Sequence, residues 1–335
     1  MKNSALKLIQ LPLNVLSSKA FFLWIIGGWI LYYVLSAIWA REAFAGFISG
    51  LEGNALIRIP FILFLVSGYF NLIRASVSVL KKGGIQFFLW LLLPLGALIF
   101  FTGFFISVSL KQIEQVIVGE GDIVQPSWSS DSYMITKINP GLRENITDMD
   151  AWKGIFAYEP KMTLVDRNSR PFLVGAYPPE KIGNTFFHIL NFGLAPGVRL
   201  FEKNQIKSEG YMALKILQPG SSDLFEIEGY PYRFQVSMEP EKIFQGEGGI
   251  VSRYNLKLPV YKVKVYRDEE VIAEGISKEG IKFDDLDIGF YEPVFWSMLE
   301  IVNDPGIRLI KTGILLIVIG LPGTLSRIVA SKVKK

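Results

Sequence analysis

The stretch AFFLWIIGGWILYYVLSAIW, Ala20–Trp39, contains no charged residue in 20 positions. At ~1.5 Å per helical residue it is long enough to cross a hydrocarbon core of ~30 Å, a length that water-soluble folds rarely need. Three further apolar runs follow it, at Ile57–Leu80, Ile85–Leu110 and Ile307–Ile328. The pattern predicts an integral membrane α-helical protein with four transmembrane helices, at about residues 20–40, 57–80, 85–110 and 305–328.

The gap between the third and fourth runs is polar and has a period of two. Tyr230, Tyr232, Phe234 and Val236 alternate with other residues, which predicts a half-buried strand. Three shorter patterns follow the same logic. They are a hairpin (Tyr261–Val265, a polar turn at Arg267–Glu270, then Val271–Ala273), a short strand (Met212–Leu217) and a flexible loop (Gly246–Gly249).

Phe186–Phe192 fits either a helical turn or a buried strand. With few helices and many alternating segments, we expect residues 111–304 to form one large, mostly antiparallel β domain.

Charge is divided unevenly between the two parts of the chain. Leu110 to Asp304 contains 21 Lys and Arg against 29 Asp and Glu, a net charge of −8, and the remainder has 14 basic residues against Glu42 and Glu52, a net of +12. The pI near 9.0 therefore comes from the membrane flanks. Nucleic-acid binding, which needs a basic patch on a folded surface, is not predicted.

The basic residues also predict an orientation. By the positive-inside rule, their groups before the first run, between the second and third runs and after the fourth face the cytoplasm. The chain is then a multi-pass protein of the inner (cytoplasmic) membrane, in contact with membrane lipid. Residues 1–19 form a cytoplasmic N-terminal segment, 329–335 a cytoplasmic tail, and 111–304 lie outside. The groups are Lys2, Lys7 and Lys19; Arg74, Lys81 and Lys82; and Arg327, Lys332, Lys334 and Lys335.

Composition excludes several kinds of chemistry. The chain has no cysteine, which removes disulfides, thiol nucleophiles, thiolate metal sites and covalent haem attachment to this chain. Its one histidine, His188, lies among Phe186, Phe187, Ile189 and Leu190. A haem or metal ligand is one interpretation of His188, and a hydrogen-bonded core or edge histidine is the favoured one.

The carboxylate clusters give no self-contained active site. Asp268–Glu270 is interpreted as a solvated turn, and Asp284–Asp287 lacks the spacing of a calcium loop, so no metal site is predicted. Glu226 and Glu228 share a predicted strand face as an acid/base pair, but nothing nearby indicates a substrate. We predict no catalytic residues and no enzyme activity for the chain alone.

Arg74, Arg308 and Lys311 are ionisable groups near the ends of predicted spans. Because charges at membrane depth are costly, such residues often face a partner, a cavity or an anionic ligand such as a haem propionate. The favoured alternative is that they extend to the lipid headgroups. If such a group binds a cofactor rather than a headgroup, the candidate cofactor-binding residues are Arg74 and Arg308.

Several local patterns, taken in order, resemble one family. The third run contains Leu95–Gly103 and leads into Val118–Gly121, and Tyr261–Tyr266 precedes Val271–Gly275 and Ile288–Tyr291. The closest match is Trp296–Gly306, ending in Asp304-Pro305-Gly306 directly before the last run. Together they resemble the ResB (CcsB) proteins of system II cytochrome c biogenesis over nearly the whole chain.

The resemblance implies a membrane subunit that, with a ResC (CcsA) partner, moves haem across the membrane and presents it to apocytochrome c outside. Known members place a haem-ligating histidine within a span, whereas this chain has only Gln86, Trp90 and Pro94 near the start of its third run. Two hypotheses stay open: a ResB-like haem-delivery subunit whose partner supplies the axial ligands, and a scaffold subunit of a cytochrome or other redox complex that ligates no haem.

Overall fold

The computed structural model of the chain describes residues 15–16, 18–28, 55–80, 85–142, 145–147, 159–217, 220–244 and 250–333. The helices in these ranges are α1 (Lys19–Gly28), α2 (Ala55–Leu80), α3 (Ile85–Leu110) and α4 (Ile307–Val333). Two compact units result: a β unit, Ile113–Val302, and a helical unit made of Met1–Gln112 and Asn303–Lys335.

Two of the four predicted spans are supported by the helical unit. Among the described residues, Ile57–Val77 of α2 and Phe88–Leu110 of α3 are long and apolar enough to cross a membrane. α4 occupies the place of the predicted fourth span but is not among the helices that meet this criterion. The predicted first span is described only as far as Gly28, so most of it lies outside the described residues.

Phenylalanine rings join α2 to α3. Phe61 stacks on Phe105 with ring centroids 5.5 Å apart, and Phe64 meets Phe101 edge to face at 5.7 Å. Offset and edge-on geometries of this kind bring the negative face of one ring to the positive edge of another. The aromatic residues of both runs therefore pack helix against helix.

The prediction of a large, mostly antiparallel β domain is confirmed, because the paired strands of the β unit for which a register is defined are all antiparallel. The described strands are β1 (Gln112–Val118), β2 (Ile123–Val124), β3 (Tyr133–Asn139), β4 (Asn145–Thr147), β5 (Lys161–Asp166), β6 (Pro171–Gly175), β7 (Glu180–Ile182), β8 (Thr185–Glu202), β9 (Gln205–Tyr211), β10 (Ser222–Glu226), β11 (Arg233–Glu239), β12 (Glu241–Phe244), β13 (Ile250–Asn255), β14 (Val260–Arg267), β15 (Glu270–Ser277), β16 (Gly280–Phe283) and β17 (Leu286–Asn303).

Two strands of 18 residues each, β8 and β17, lie side by side in the central sheet. Contacts between His188 and Glu300 and between Gly197 and Tyr291 run in opposite directions along the two strands, so the strands are antiparallel. β1 and β16 flank β17, and β7 and β9 flank β8. These strands are about three times as long as the usual strand of about 5–6 residues, and both repeats of the unit share the sheet that they form.

The β unit is an internal repeat that the sequence pattern does not reveal. In both halves a hairpin, a short strand and a two-residue turn lead into the 18-residue strand: β5 to β8 in the first repeat and β14 to β17 in the second. The second sheet of each half has the matching order, β2-β3-β5-β6 and β10-β11-β14-β15. The pairing also corresponds, because β1 pairs with the long strand of the second repeat and β9 with that of the first.

Each repeat builds its own hydrophobic core against one half of the central sheet. In the first, Phe187 and Leu299 pack with Ile135 and Leu164, and in the second Leu200 packs with Phe234 and its neighbours. All six side chains are fully buried. At roughly 1.5–3 kcal/mol for each buried large apolar side chain, these cores are the main stabilising contribution to the unit.

The predicted hairpin is confirmed as β14 and β15, joined at Asp268 and Glu269. Phe186–Phe192 is part of strand β8, which decides between the two interpretations left open. The half-buried strand predicted to contain Phe234 and Val236 is confirmed as β11, but its predicted start is wrong. The strand predicted from Tyr230 begins only at Arg233, since Gly229, with φ of 85°, lies in a turn that Tyr230 closes by donating its N–H to Ile227.

The second wrong prediction is the strand at Met212–Leu217. This segment lies beside β8 but makes only a single bridge to it, from Leu214 to Leu194. The Leu214 carbonyl accepts the Trp296 indole N–H, and the Lys215 N–H is bonded to Asp223 instead of a strand. The loop predicted at Gly246–Gly249 lies outside the described residues.

Candidate functional site

The Asp304-Pro305-Gly306 motif joins α3 to α4 at the start of α4. Asp304 accepts hydrogen bonds from the Ser107 hydroxyl at 2.8 Å and from the Gly306 N–H at 2.9 Å. A methyl group on Gly306 would lie 2.2 Å from the Gly103 carbonyl oxygen. Glycine is therefore required here so that the two backbones can touch, and the acidic side chain fixes the turn that brings them together.

The contact continues along both helices at intervals of seven residues. Gly96 lies against the backbone at Gly313, as Gly103 does against Gly306, and Gly320 lies against Leu93. The order is reversed between the helices, so α3 and α4 are antiparallel. Small residues at this spacing allow close van der Waals packing, the main source of helix association within lipid. We call these close contacts between α3 and α4 the glycine clasp.

The two arginines predicted to bind a cofactor lie on different helices. Arg74 is exposed on α2, and Arg308 is in the first turn of α4. The described residues therefore give no anion site that both arginines share.

His188 lies on β8 in the β unit, bonded to a carboxylate. Its Nε2 is 3.2 Å from Oε2 of Glu300, and the other oxygen of Glu300 accepts a hydrogen bond from Gln115 at 2.8 Å. Nδ1 is buried and has no hydrogen-bond partner among the described residues. His188 therefore links β8 to the neighbouring strand β17, and its Nε2 is already bonded to Glu300.

The predicted carboxylate clusters are engaged in ion pairs or divided between elements. Asp284 binds Arg267 and accepts a hydrogen bond from the Tyr232 hydroxyl at 3.0 Å. Glu226 ends β10 and pairs with Arg233 at 3.1 Å, whereas Glu228 lies in the following turn, so the predicted shared strand face is wrong. In the described part of the chain, no group of three or more His, Asp or Glu side chains is placed to hold a metal ion.

Two adjoining hollows lie at the end of the second repeat, and sequence reasoning missed them. They share Tyr230, Pro231 and Tyr232, and their volumes are about 650 and 270 Å³. We call them together the tyrosine groove. The remaining lining residues are Glu202, Arg267, Asp284, Asp285 and Leu286 in the larger hollow, and Glu226, Arg233, Tyr266, Asp268 and Glu269 in the smaller.

Both arginines of the tyrosine groove form ion pairs with carboxylates of the groove itself. Arg267 lies 4.8 Å from the ring centre of Tyr232 and is bound by Asp284, and Arg233 is paired with Glu226. The hydrogen bond to the Tyr232 oxygen, together with the charge of Asp284, raises the pKa of Arg267. Asp268, Glu269 and Asp285 have no ion-pair partner in the described residues, so the groove is left negatively charged.

These positions are far apart in the sequence, at 202, 226–233, 266–269 and 284–286. The turn at Asp268–Glu269, the Asp284–Asp287 cluster and Glu226 each stand out in the sequence, but none of them indicates a cavity. Comparison with protein-family models gives no match to this chain, and comparison with curated protein sequences gives none either.

Proposed function

We propose that the chain is a ResB-like subunit of a cytochrome c maturation complex. In this proposal it has four spans with both termini in the cytoplasm, and its β unit lies outside the inner membrane. There it docks apocytochrome c or another cytochrome while a ResC (CcsA)-like partner moves haem across the membrane. The resemblance in residue order suggests the role, and the following features support it.

The observation that carries the proposal is the glycine clasp. The motif closest to the family pattern, Asp304-Pro305-Gly306, makes a backbone contact with α3 through Gly103 and Ser107. The polypeptide leaves α3 at Leu110, forms the β unit and returns at Ile307. The two helices that flank the β unit in the sequence therefore pack against each other.

The clasp also supports a third span. α4 lies antiparallel along α3 from Gly306 to Gly320, beside a helix that is itself apolar enough to cross a membrane. Its exposed face is apolar and includes Ile314, Leu315 and Val318. A helix packed along a membrane-crossing helix and exposing leucine, isoleucine and valine is suited to lipid contact.

The residues of this chain do not fit haem as an axial ligand set. The chain has one histidine and no cysteine, and His188 lies on β8 with its Nε2 against Glu300. We therefore assign axial ligation to the partner and derive no ligation step for this chain. Arg74 and Arg308 remain the proposed contacts for an anionic group such as a propionate, through charge alone.

The proposal is tested by purifying the partner with and without this chain and recording the absorption spectrum of bound haem. We expect haem to be retained when both are present and to be reduced by Arg74→Ala or Arg308→Ala. Lys111→Ala is a matched control that removes a positive charge just beyond the end of α3. Haem that is unaffected by the absence of this chain would refute haem delivery.

A second candidate is a membrane-anchored scaffold subunit of a cytochrome or other redox complex that ligates no haem. The engagement of His188 Nε2 by Glu300 favours it, because the nitrogen left without a partner in the described residues, Nδ1, is buried. The two candidates differ in their partner. Co-purification with electron-transfer subunits in the absence of a ResC-like protein supports the scaffold.

A further inference from the structure

We infer that the tyrosine groove binds an extended polypeptide segment rich in lysine or arginine. This deepens the proposed function and rests on it only for the location of the partner, since the groove lies in the β unit, which that function places outside the membrane. The inference stands on three features: the concave aromatic lining, the excess of negative charge, and a comparison between the two repeats.

The lining has the character of a polypeptide-binding surface. Three tyrosine rings, Tyr230, Tyr232 and Tyr266, line two hollows that adjoin along Pro231. Tyrosine is enriched where proteins bind one another, because it combines a large apolar area with a polar end and loses little conformational entropy. Two adjoining hollows suit an extended chain that places one side chain in each.

The charge favours a cationic occupant. Six carboxylates and two arginines line the hollows, and both arginines are already paired, with Asp284 and Glu226. Glu202 is also paired, with Lys207 at 3.4 Å. Asp268, Glu269 and Asp285 are left to receive lysine or arginine, and an anionic ligand would be repelled. Cations also bind favourably over the face of a tyrosine ring, as Arg267 does over Tyr232.

The first repeat shows that the fold does not require the charges of this lining. Arg167, directly after β5, occupies the place of Arg267, the last residue of β14. It donates a hydrogen bond to Ser132 at 3.0 Å, where the second repeat has Tyr232. The two-residue turn before the long strand is Gly183-Asn184 in the first repeat and Asp284-Asp285 in the second.

The hairpin turns differ in the same direction. The β5–β6 turn of the first repeat contains Arg167 and Arg170, whereas the β14–β15 turn of the second contains Asp268 and Glu269. Equivalent turns therefore have opposite charge. Since one plan folds with either set of turns, the fold does not require the carboxylates in the turns of the second repeat. The Tyr232 ring also packs in the core against Phe283.

The test uses the full chain in an uncharged detergent and a fluorescein-labelled peptide of six lysines spaced by glycine, followed by fluorescence anisotropy. We expect binding at low ionic strength that weakens as salt is raised, because exposed charges are screened over ~10 Å at 0.1 M. A neutral peptide of the same design, with serine in place of lysine, should not bind.

Two double variants locate the site. Glu269→Lys with Asp285→Lys reverses two unpaired charges of the groove and should weaken lysine-peptide binding by about tenfold. Asp131→Lys with Glu180→Lys makes the same change of net charge in the first repeat and should change binding less than twofold. Equal loss in both double variants, or no binding to the wild-type chain at low salt, would overturn the inference.

A third pair separates the rings from the charges. Tyr230→Phe keeps the ring and should retain binding, whereas Tyr230→Leu should weaken it, and an equal effect of both would contradict the proposed role of the aromatic face. Failure of peptide binding leaves the proposed function standing if cells still need the chain to mature c-type cytochromes. Maturation that proceeds without the chain refutes the function whatever the peptide does.

Discussion

Gly306 is the position where the smallest change should disturb the glycine clasp most. In Gly306→Ala, the added methyl group would lie 2.2 Å from the Gly103 carbonyl oxygen, 2.5 Å from the Ser107 nitrogen and 2.8 Å from its Cα. Ordinary contact begins at 3.4 Å, so the two backbones would have to separate by about 1.2 Å. Backbone atoms cannot rotate away, as a flexible side chain could, and the contact must open.

We expect this opening to destabilise the helix pair by ~1–3 kcal/mol, the usual cost of one methylene too many in a packed interior. Separation would also lengthen the Ser107 to Asp304 hydrogen bond, now 2.8 Å. The assay is titration of the purified chain with a denaturing detergent, followed by helical circular dichroism.

Gly28→Ala is the matched control, because no atom of the described residues lies within 4 Å of a methyl group added there. In a helix this substitution should stabilise by roughly 0.5–1 kcal/mol, through reduced backbone entropy in the unfolded chain. The reasoning is refuted if Gly306→Ala unfolds at the same detergent fraction as wild type or a higher one, or if the two variants behave alike.

Three further predictions concern the β unit. Burial raises the pKa of Tyr261. The contribution of the neutral Tyr261 side chain to stability is therefore complete below the ordinary tyrosine pKa of ~10 and falls as pH rises above it. Tyr261→Phe should reduce this loss of stability at alkaline pH, measured by urea unfolding at a series of pH values. Because the Tyr261 hydroxyl has no partner in the described residues, the same variant should be more stable at neutral pH by ~1 kcal/mol, and a large loss of stability would show that the hydroxyl is satisfied. Gly193→Ala places a methyl group 2.6 Å from the buried Trp296 ring, so it should lower the free energy of unfolding by ~1–3 kcal/mol and with it the urea midpoint. The control Gly210→Ala meets no atom of the described residues within 4 Å and should leave the midpoint unchanged. Similar midpoints for the two variants would contradict the packing. A protease site inserted at Gly246–Gly249 should be cut from outside intact cells, and cleavage only after the cytoplasm is opened would reverse the proposed orientation.

Sequence reasoning succeeded where the decisive interaction is local. The α3 run, Ile85–Leu110, was predicted with the bounds that the structure has, because a charge-free apolar stretch of 26 residues allows few alternatives to a helix. The β14–β15 hairpin was also predicted, since alternating apolar residues flank a short polar turn. Both signals lie within a few residues of the structure that they specify.

The long strands could not be predicted, because their burial depends on distant elements. In β8 the residues from Phe192 to Val198 are buried one after another, so the period of two disappears midway. Here the strand passes between the two cores, and Trp296 covers Gly193 from β17 while donating its indole N–H to Leu214. The segment around Leu214 failed as a predicted strand because, beyond one bridge to β8, its backbone bonds to side chains: the Leu214 carbonyl to Trp296 and the Lys215 N–H to Asp223.

The tyrosine groove was not predicted, and the binding of a cofactor by Arg74 or Arg308 stays a prediction. Arg74 and Arg308 attracted attention as charges near apolar runs, yet the structure places them on separate helices. The tyrosine groove forms from four segments that are far apart in the sequence, and no one of them alone indicates a cavity. Correspondence between Arg167 and Arg267 becomes visible only when the repeated strand order is known.

The central claim, that the chain serves cytochrome c maturation, is tested most directly by the covalently attached haem of c-type cytochromes in host cells that lack it. The account predicts a marked loss of haem-stained c-type cytochromes, restored by the wild-type chain and by Gly28→Ala. Full haem content in the absence of the chain would contradict the account.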